Sequence, residues 1–99
     1  MLRLAFLLSC ISLSLVQTVS AQDIRNVELL AASCASCHGT QGKSVGGIPS
    51  LAGLDKLHFI EQMDQFINQN RSATVMHHHA SGYTAQEIES LAQFFSQQN

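Results

Sequence analysis

Apolar residues recur at helical intervals in three stretches of the chain, and no stretch reads convincingly as a strand. In the first, Ile24, Val27, Leu30 and Ala31 share one face behind a capping residue at Asp23. In the second, from Asp55 to about Asn68, the residues Phe59, Ile60, Met63, Phe66 and Ile67 form an amphipathic stripe. The third opens on Thr84-Ala85-Gln86-Glu87, a pattern in which the threonine hydroxyl and the glutamate carboxylate each satisfy a free N–H of the first turn. Ile88, Leu91, Ala92 and Phe95 follow on one face. Gly39 to Leu54, GTQGKSVGGIPSLAGL, is glycine-rich, holds the only proline and reads as a loop. Asn68 to Gly82 has no periodicity and reads as a second loop. The pattern predicts an all-α domain of three to four helices without internal repeats.

The N-terminal residues, MLRLAFLLSCISLSLVQTVSAQ, follow a different pattern. One positive charge at Arg3 precedes an apolar run from Leu4 to Val16, and Val19-Ser20-Ala21 supplies a small-residue cleavage pattern. This predicts a signal peptide over 1–21, removed after Ala21, and a periplasmic domain over 22–99. The apolar run is too short for a comfortable membrane span, so no stable anchor is expected after cleavage. Leu7-Leu8-Ser9-Cys10 resembles a lipoprotein cleavage box. A cut at Cys10 would leave the apolar residues Ile11 to Val16 attached, and that reading is rejected.

Residues 22–99 carry four basic and seven acidic side chains, a formal charge of −3. With no cluster of Lys or Arg and no row of aromatic residues, nothing points to nucleic acid. A domain this small buries a modest core and usually needs a disulfide, a metal or a cofactor. Its two cysteines are Cys34 and Cys37, in SCASCHG. A disulfide closing so short a loop would restrict the unfolded chain very little. A thioredoxin-like redox pair needs a βαβ context that the pattern lacks. Zinc would need further ligands, and the consecutive His77, His78 and His79 point in divergent directions.

The next residue decides among these chemistries. Cys-x-x-Cys-His is the attachment site of c-type haem. Cysteines three apart share one face of a helical turn, where both thiols can add to the haem vinyl groups, and His38 then faces the iron. There is one such motif, so one covalent haem c is expected.

The order of parts resembles small class I cytochromes c over essentially all of 22–99: a helix running into CxxCH, a Gly/Pro loop, a helix, a loop, and a capped last helix. That resemblance implies the class I fold, with the first and last helices crossed and the haem in a crevice. It implies that Met76, in the loop before Gly82-Tyr83-Thr84, is the second axial ligand of the iron opposite His38. It also implies that the carbonyl of Pro49 orients the ring of His38. Met63, at helical spacing, reads as core filler. His77, His78 or His79 are alternatives to Met76 that would lower the reduction potential, although a solvated or partner-facing loop is the favoured reading of all three. Arg71 is either a partner for a haem propionate or an exposed loop residue.

Iron held by two protein ligands has no open position, so the chain is expected to transfer electrons rather than catalyse. A haem enzyme with an open sixth site and a structural metal module are the readings from other classes. Within the family, IPSLAGLDKLHFIEQMDQF and MHHHASGYTAQEIESLAQFF are most similar to the cytochrome subunit of flavocytochrome c sulfide dehydrogenase. This implies an FAD-containing sulfide dehydrogenase subunit as partner. Freely diffusing carriers of the c4, c5 and c553 types share much of the pattern, and other redox proteins would then be the partners.

Overall fold

The computed structural model describes residues 26–99. The expected signal peptide over 1–21, its cleavage after Ala21, the helix cap at Asp23 and the apolar Ile24 all lie outside the described residues. Four α-helices are present, α1 (Val27–His38), α2 (Lys56–Ile67), α3 (Met76–Ser81) and α4 (Ala85–Ser96), with no strand among the described residues.

Asn26 caps α1, its side-chain oxygen accepting the Glu28 N–H at 2.9 Å, and Glu28 places an acid at the positive end of the helix dipole. The helix stops at Gly39, whose φ is 84°. A Cβ at that position would stand 1.9 Å from the Lys43 carbonyl oxygen, so only glycine makes this exit. A 3-10 turn over Thr40–Gly42 follows, inside the stretch expected to be loop.

Gly42 is buried with φ 77°, and a Cβ there would lie 2.8 Å from Cδ1 of Phe95 and 2.9 Å from Cβ of Leu51. Its carbonyl accepts the N–H groups of Leu51 at 2.8 Å and Ala52 at 3.1 Å, while the Gly53 N–H donates to the Phe95 carbonyl at 2.9 Å. The long loop is therefore tied by its backbone to itself and to the end of α4.

The carboxylate of Asp55 caps α2 by accepting from Leu57 and His58 at 3.1 and 3.2 Å. The box expected at the start of α4 is present in both directions, Thr84 Oγ1 accepting from Glu87 N and Glu87 Oε1 from Thr84 N, each at 3.1 Å. The stretch Asn68 to Gly82 departs from expectation, since it contains α3. A helix of one and a half turns presents too few apolar positions for a period to show, and α3 has no side-chain cap to announce it.

α4 packs against α1 and α2, and α3 packs against α2. Leu91 and Phe95 of α4 are wholly buried, with Ile88 and Ala92 beside them, Leu30 and Ala31 contributed by α1 and Phe59 and Met63 by α2. The Phe59 ring stacks on Phe95 at 5.8 Å between centroids, and Phe94 meets Phe95 edge-on at 5.2 Å. The buried side chains among the described residues are all apolar. They are few, as expected of a domain whose stability leans on a bound group.

Candidate functional site

One crevice of about 400 Å³ gathers residues from all four helices and the long loop. Cys34, Cys37 and His38 enter from the last turns of α1, Pro49 from the loop, and Met76 and His79 from α3; Phe59, Met63 and Leu91 supply apolar wall. α1 brings the three motif residues together because it stays helical through His38 before Gly39 ends it.

Nδ1 of His38 lies 2.6 Å from the Pro49 carbonyl oxygen. A carbonyl only accepts, so Nδ1 carries the proton and the lone pair of the neutral ring is on Nε2. This is the arrangement of a metal-ligating imidazole, with orientation and tautomer fixed by the bond on its far side. No disulfide joins the two cysteines; Cys34 is half-buried and Cys37 exposed. Burial pushes the Cys34 thiol up.

Tyr83 was not singled out as a site residue by the sequence. Ser33 Oγ donates its one proton to the Leu30 carbonyl at 2.7 Å, so the Tyr83 hydroxyl, 2.8 Å away, donates to Ser33. This bond fastens the approach to α4 onto α1 beside Cys34, across 50 positions of sequence, and no local pattern announces it.

The three histidines separate. His77 is half-buried, its Nδ1 donating to the Phe66 carbonyl at 3.0 Å and its ring set edge-on to Phe66 at 6.3 Å. It is partly exposed and does not line the crevice, and it sits in a short helix where a solvated or partner-facing loop was expected. Tertiary packing of α3 on α2 buries it. His78 is exposed and also off the crevice, whereas His79 lines it. Met63 is 5% exposed and belongs to the core, as its spacing suggested, while one side of it forms crevice wall. Arg71 is exposed, with its guanidinium 5.3 Å from the centre of the Phe66 ring. No group of three or more His, Cys, Asp or Glu side chains comes together among the described residues.

Two thiols, one oriented imidazole and a mostly apolar crevice of ligand-binding size fit a covalently held haem. The family of cytochrome c oxidase, cbb3-type, subunit III matches residues 21–95. The chain belongs to this family of cytochrome c domains. As a cytochrome c domain it binds haem c covalently and serves electron transfer.

Among curated proteins, the cytochrome subunit of sulfide dehydrogenase from Chlorobaculum tepidum is 44% identical over 68 residues, 69% of this chain and 62% of that protein. Cytochrome c-552 from Acidithiobacillus ferridurans is 32% identical over 75 residues, 76% of this chain and 32% of that protein. The thiosulfate dehydrogenase electron acceptor of Stutzerimonas stutzeri is 34% identical over 64 residues, 63% of this chain and 30% of that protein. The cytochrome domain thus spans less than two thirds of each of these relatives. No helix among the described residues is long and apolar enough to cross a membrane.

Proposed function

We propose that the domain is a periplasmic one-electron carrier in which Cys34 and Cys37 form the thioethers, Nε2 of His38 is the proximal iron ligand and Met76 the distal one. The observation that carries this reading is the bond from His38 Nδ1–H to the Pro49 carbonyl, which commits the ring to present Nε2 in the crevice that both thiols and Met76 line. Bound haem supplies the Fe(III)/Fe(II) couple. The chain's own part is to hold that couple in an apolar crevice, to strengthen His38 as a donor through Pro49, and, where His38 and Met76 would both hold the iron, to leave substrates no place on it.

The redox partner we favour is a flavoprotein that oxidises sulfide and passes electrons singly to this domain, a reading supported by the 44% identity to a sulfide dehydrogenase cytochrome subunit. Over residues 22–99 the formal charge is −3, which does not suit electrostatic docking on an acidic partner and favours an interface with an apolar component. Ile48 and Val75, 43% and 50% exposed, offer apolar surface at the crevice itself. Similarity to a thiosulfate dehydrogenase electron acceptor supports a second reading, a free carrier serving another sulfur-oxidising enzyme.

Untagged purification from the native source, with flavin analysis and a test of sulfide-dependent haem reduction, separates the two. A flavin-containing complex reduced by sulfide is expected. A haem-only monomer that sulfide plus a candidate flavoprotein fails to reduce overturns the subunit reading.

A further inference from the structure

Building on the haem reading above, we propose that His79 is a second side chain able to take the sixth position of the iron, held beside Met76 on the same face of α3. Met76 and His79 both line the crevice, and His77 and His78 do not. Three residues apart on a helix, they are surface neighbours separated by about 4.5 Å along the axis. The His79 ring has no hydrogen-bond partner among the described residues, so neither nitrogen is committed, whereas Nδ1 of His77 is held by the Phe66 carbonyl.

The helix that carries both side chains is also the one of the four α-helices without a side-chain cap. The segment leading to it leaves α2 through Gln69 at φ 58°. A shift of α3 along its own face exchanges one side chain for the other. The exchange breaks an iron–sulfur bond and forms an iron–nitrogen bond to a neutral imidazole, with no electron or proton transferred. It replaces a thioether by a better donor to ferric iron and lowers the reduction potential.

The test uses covalently assembled holoprotein and its optical and spin-state spectra. Met76→Ala is expected to remain low-spin, of bis-histidine type. Adding His79→Ala should convert it to a high-spin form that binds carbon monoxide when reduced, whereas adding His77→Ala or His78→Ala should leave it low-spin. A high-spin Met76→Ala protein, or a low-spin state that survives in Met76→Ala/His79→Ala, overturns the proposal.

If Met76→Ala does not assemble, mild guanidinium on the otherwise unmodified protein reads the same exchange. The sulfur-to-iron band in the near red should then fade while the haem stays low-spin, and His79→Ala should lose that low-spin form. Persistence of the low-spin form in His79→Ala overturns the proposal by this route. The near-red band of the untreated parent protein tests Met76 separately. Its absence there refutes the His/Met reading, and the double variants still decide the role of His79.

Discussion

The two ends of the chain that meet at the crevice hold their candidate ligands in different ways. On the α1 side, Cys34, Cys37 and His38 sit on consecutive turns of one capped helix, Gly39 and Gly42 fix the exit, and the Pro49 carbonyl orients the histidine ring. On the α3 side, Met76 and His79 ride on a short helix without a side-chain cap, positioned by its packing on α2. Covalent attachment and backbone geometry over-determine the first arrangement. The second is positioned by tertiary contacts, and the proposed exchange of its ligand would leave the first untouched.

The largest effect is expected from removing the attachment. Cys34→Ala combined with Cys37→Ala should abolish covalent haem, read as loss of peroxidase stain on a denaturing gel. It should also leave a domain without a cooperative thermal transition, because the few buried side chains do not make a core of ordinary size. Retained stain in the double variant would refute attachment at these residues.

The next comparison sets two methionines of the same crevice against each other. Met63 is buried in the core, and truncation to alanine should cost about 2–5 kcal/mol by chemical denaturation while leaving the near-red sulfur-to-iron band in place. Met76→Ala should remove that band and leave the thioether attachment intact. If Met63→Ala removes the band instead, the distal assignment moves from α3 to α2.

The asymmetry between the two sides also governs what the sequence revealed. The α1 side is written locally: the CxxCH motif needs only helical continuity to bring its thiols together, and the threonine box of α4 specifies its own start. The helix positions of α2 followed from the spacing of Phe59, Met63 and Phe66, and Asp55 capped it as its chemistry allows. The α3 side was not legible, because one and a half turns carry no detectable period. The separation of His77 from His79 comes from packing on Phe66, an element 11 residues earlier. The Tyr83–Ser33 bond was hidden for the same reason, being a product of how the approach to α4 packs on α1.

If the α1 side is held by its backbone, a methyl group should disturb it at Gly42 and not at Gly46. Gly42→Ala places a Cβ within 3 Å of Phe95, Ala52 and Leu51 at a positive φ. It should cost roughly 2–4 kcal/mol, an overpacked contact together with a left-handed alanine. Gly46 has nothing within 4 Å of the same atom, and Gly46→Ala should stay within about 0.5 kcal/mol of the parent. Equal stabilities for the two variants, measured by denaturant titration of holoprotein, would show that the loop is not pinned as its hydrogen bonds suggest.

The smallest predicted effect concerns the tie that holds α3. The Phe66 carbonyl belongs to the last turn of α2; it accepts the Gln69 N–H at 3.2 Å, and the half-buried His77 donates to it at 3.0 Å. Replacing His77 by alanine removes that donor and the edge-on ring contact, and should cost about 1 kcal/mol. For a domain of this size, that corresponds to a fall in Tm of roughly 4–8 °C. His78 is exposed and makes no such bond, so His78→Ala should change stability by no more than about 0.5 kcal/mol. Since α3 reaches the rest of the domain through α2, cutting this tie should also make the near-red band fade at lower guanidinium concentration than in the parent, before the helical circular dichroism changes. Identical fading in His77→Ala and His78→Ala would mean that Phe66 does not anchor α3, and the difference in rigidity between the two sides of the crevice would need another origin.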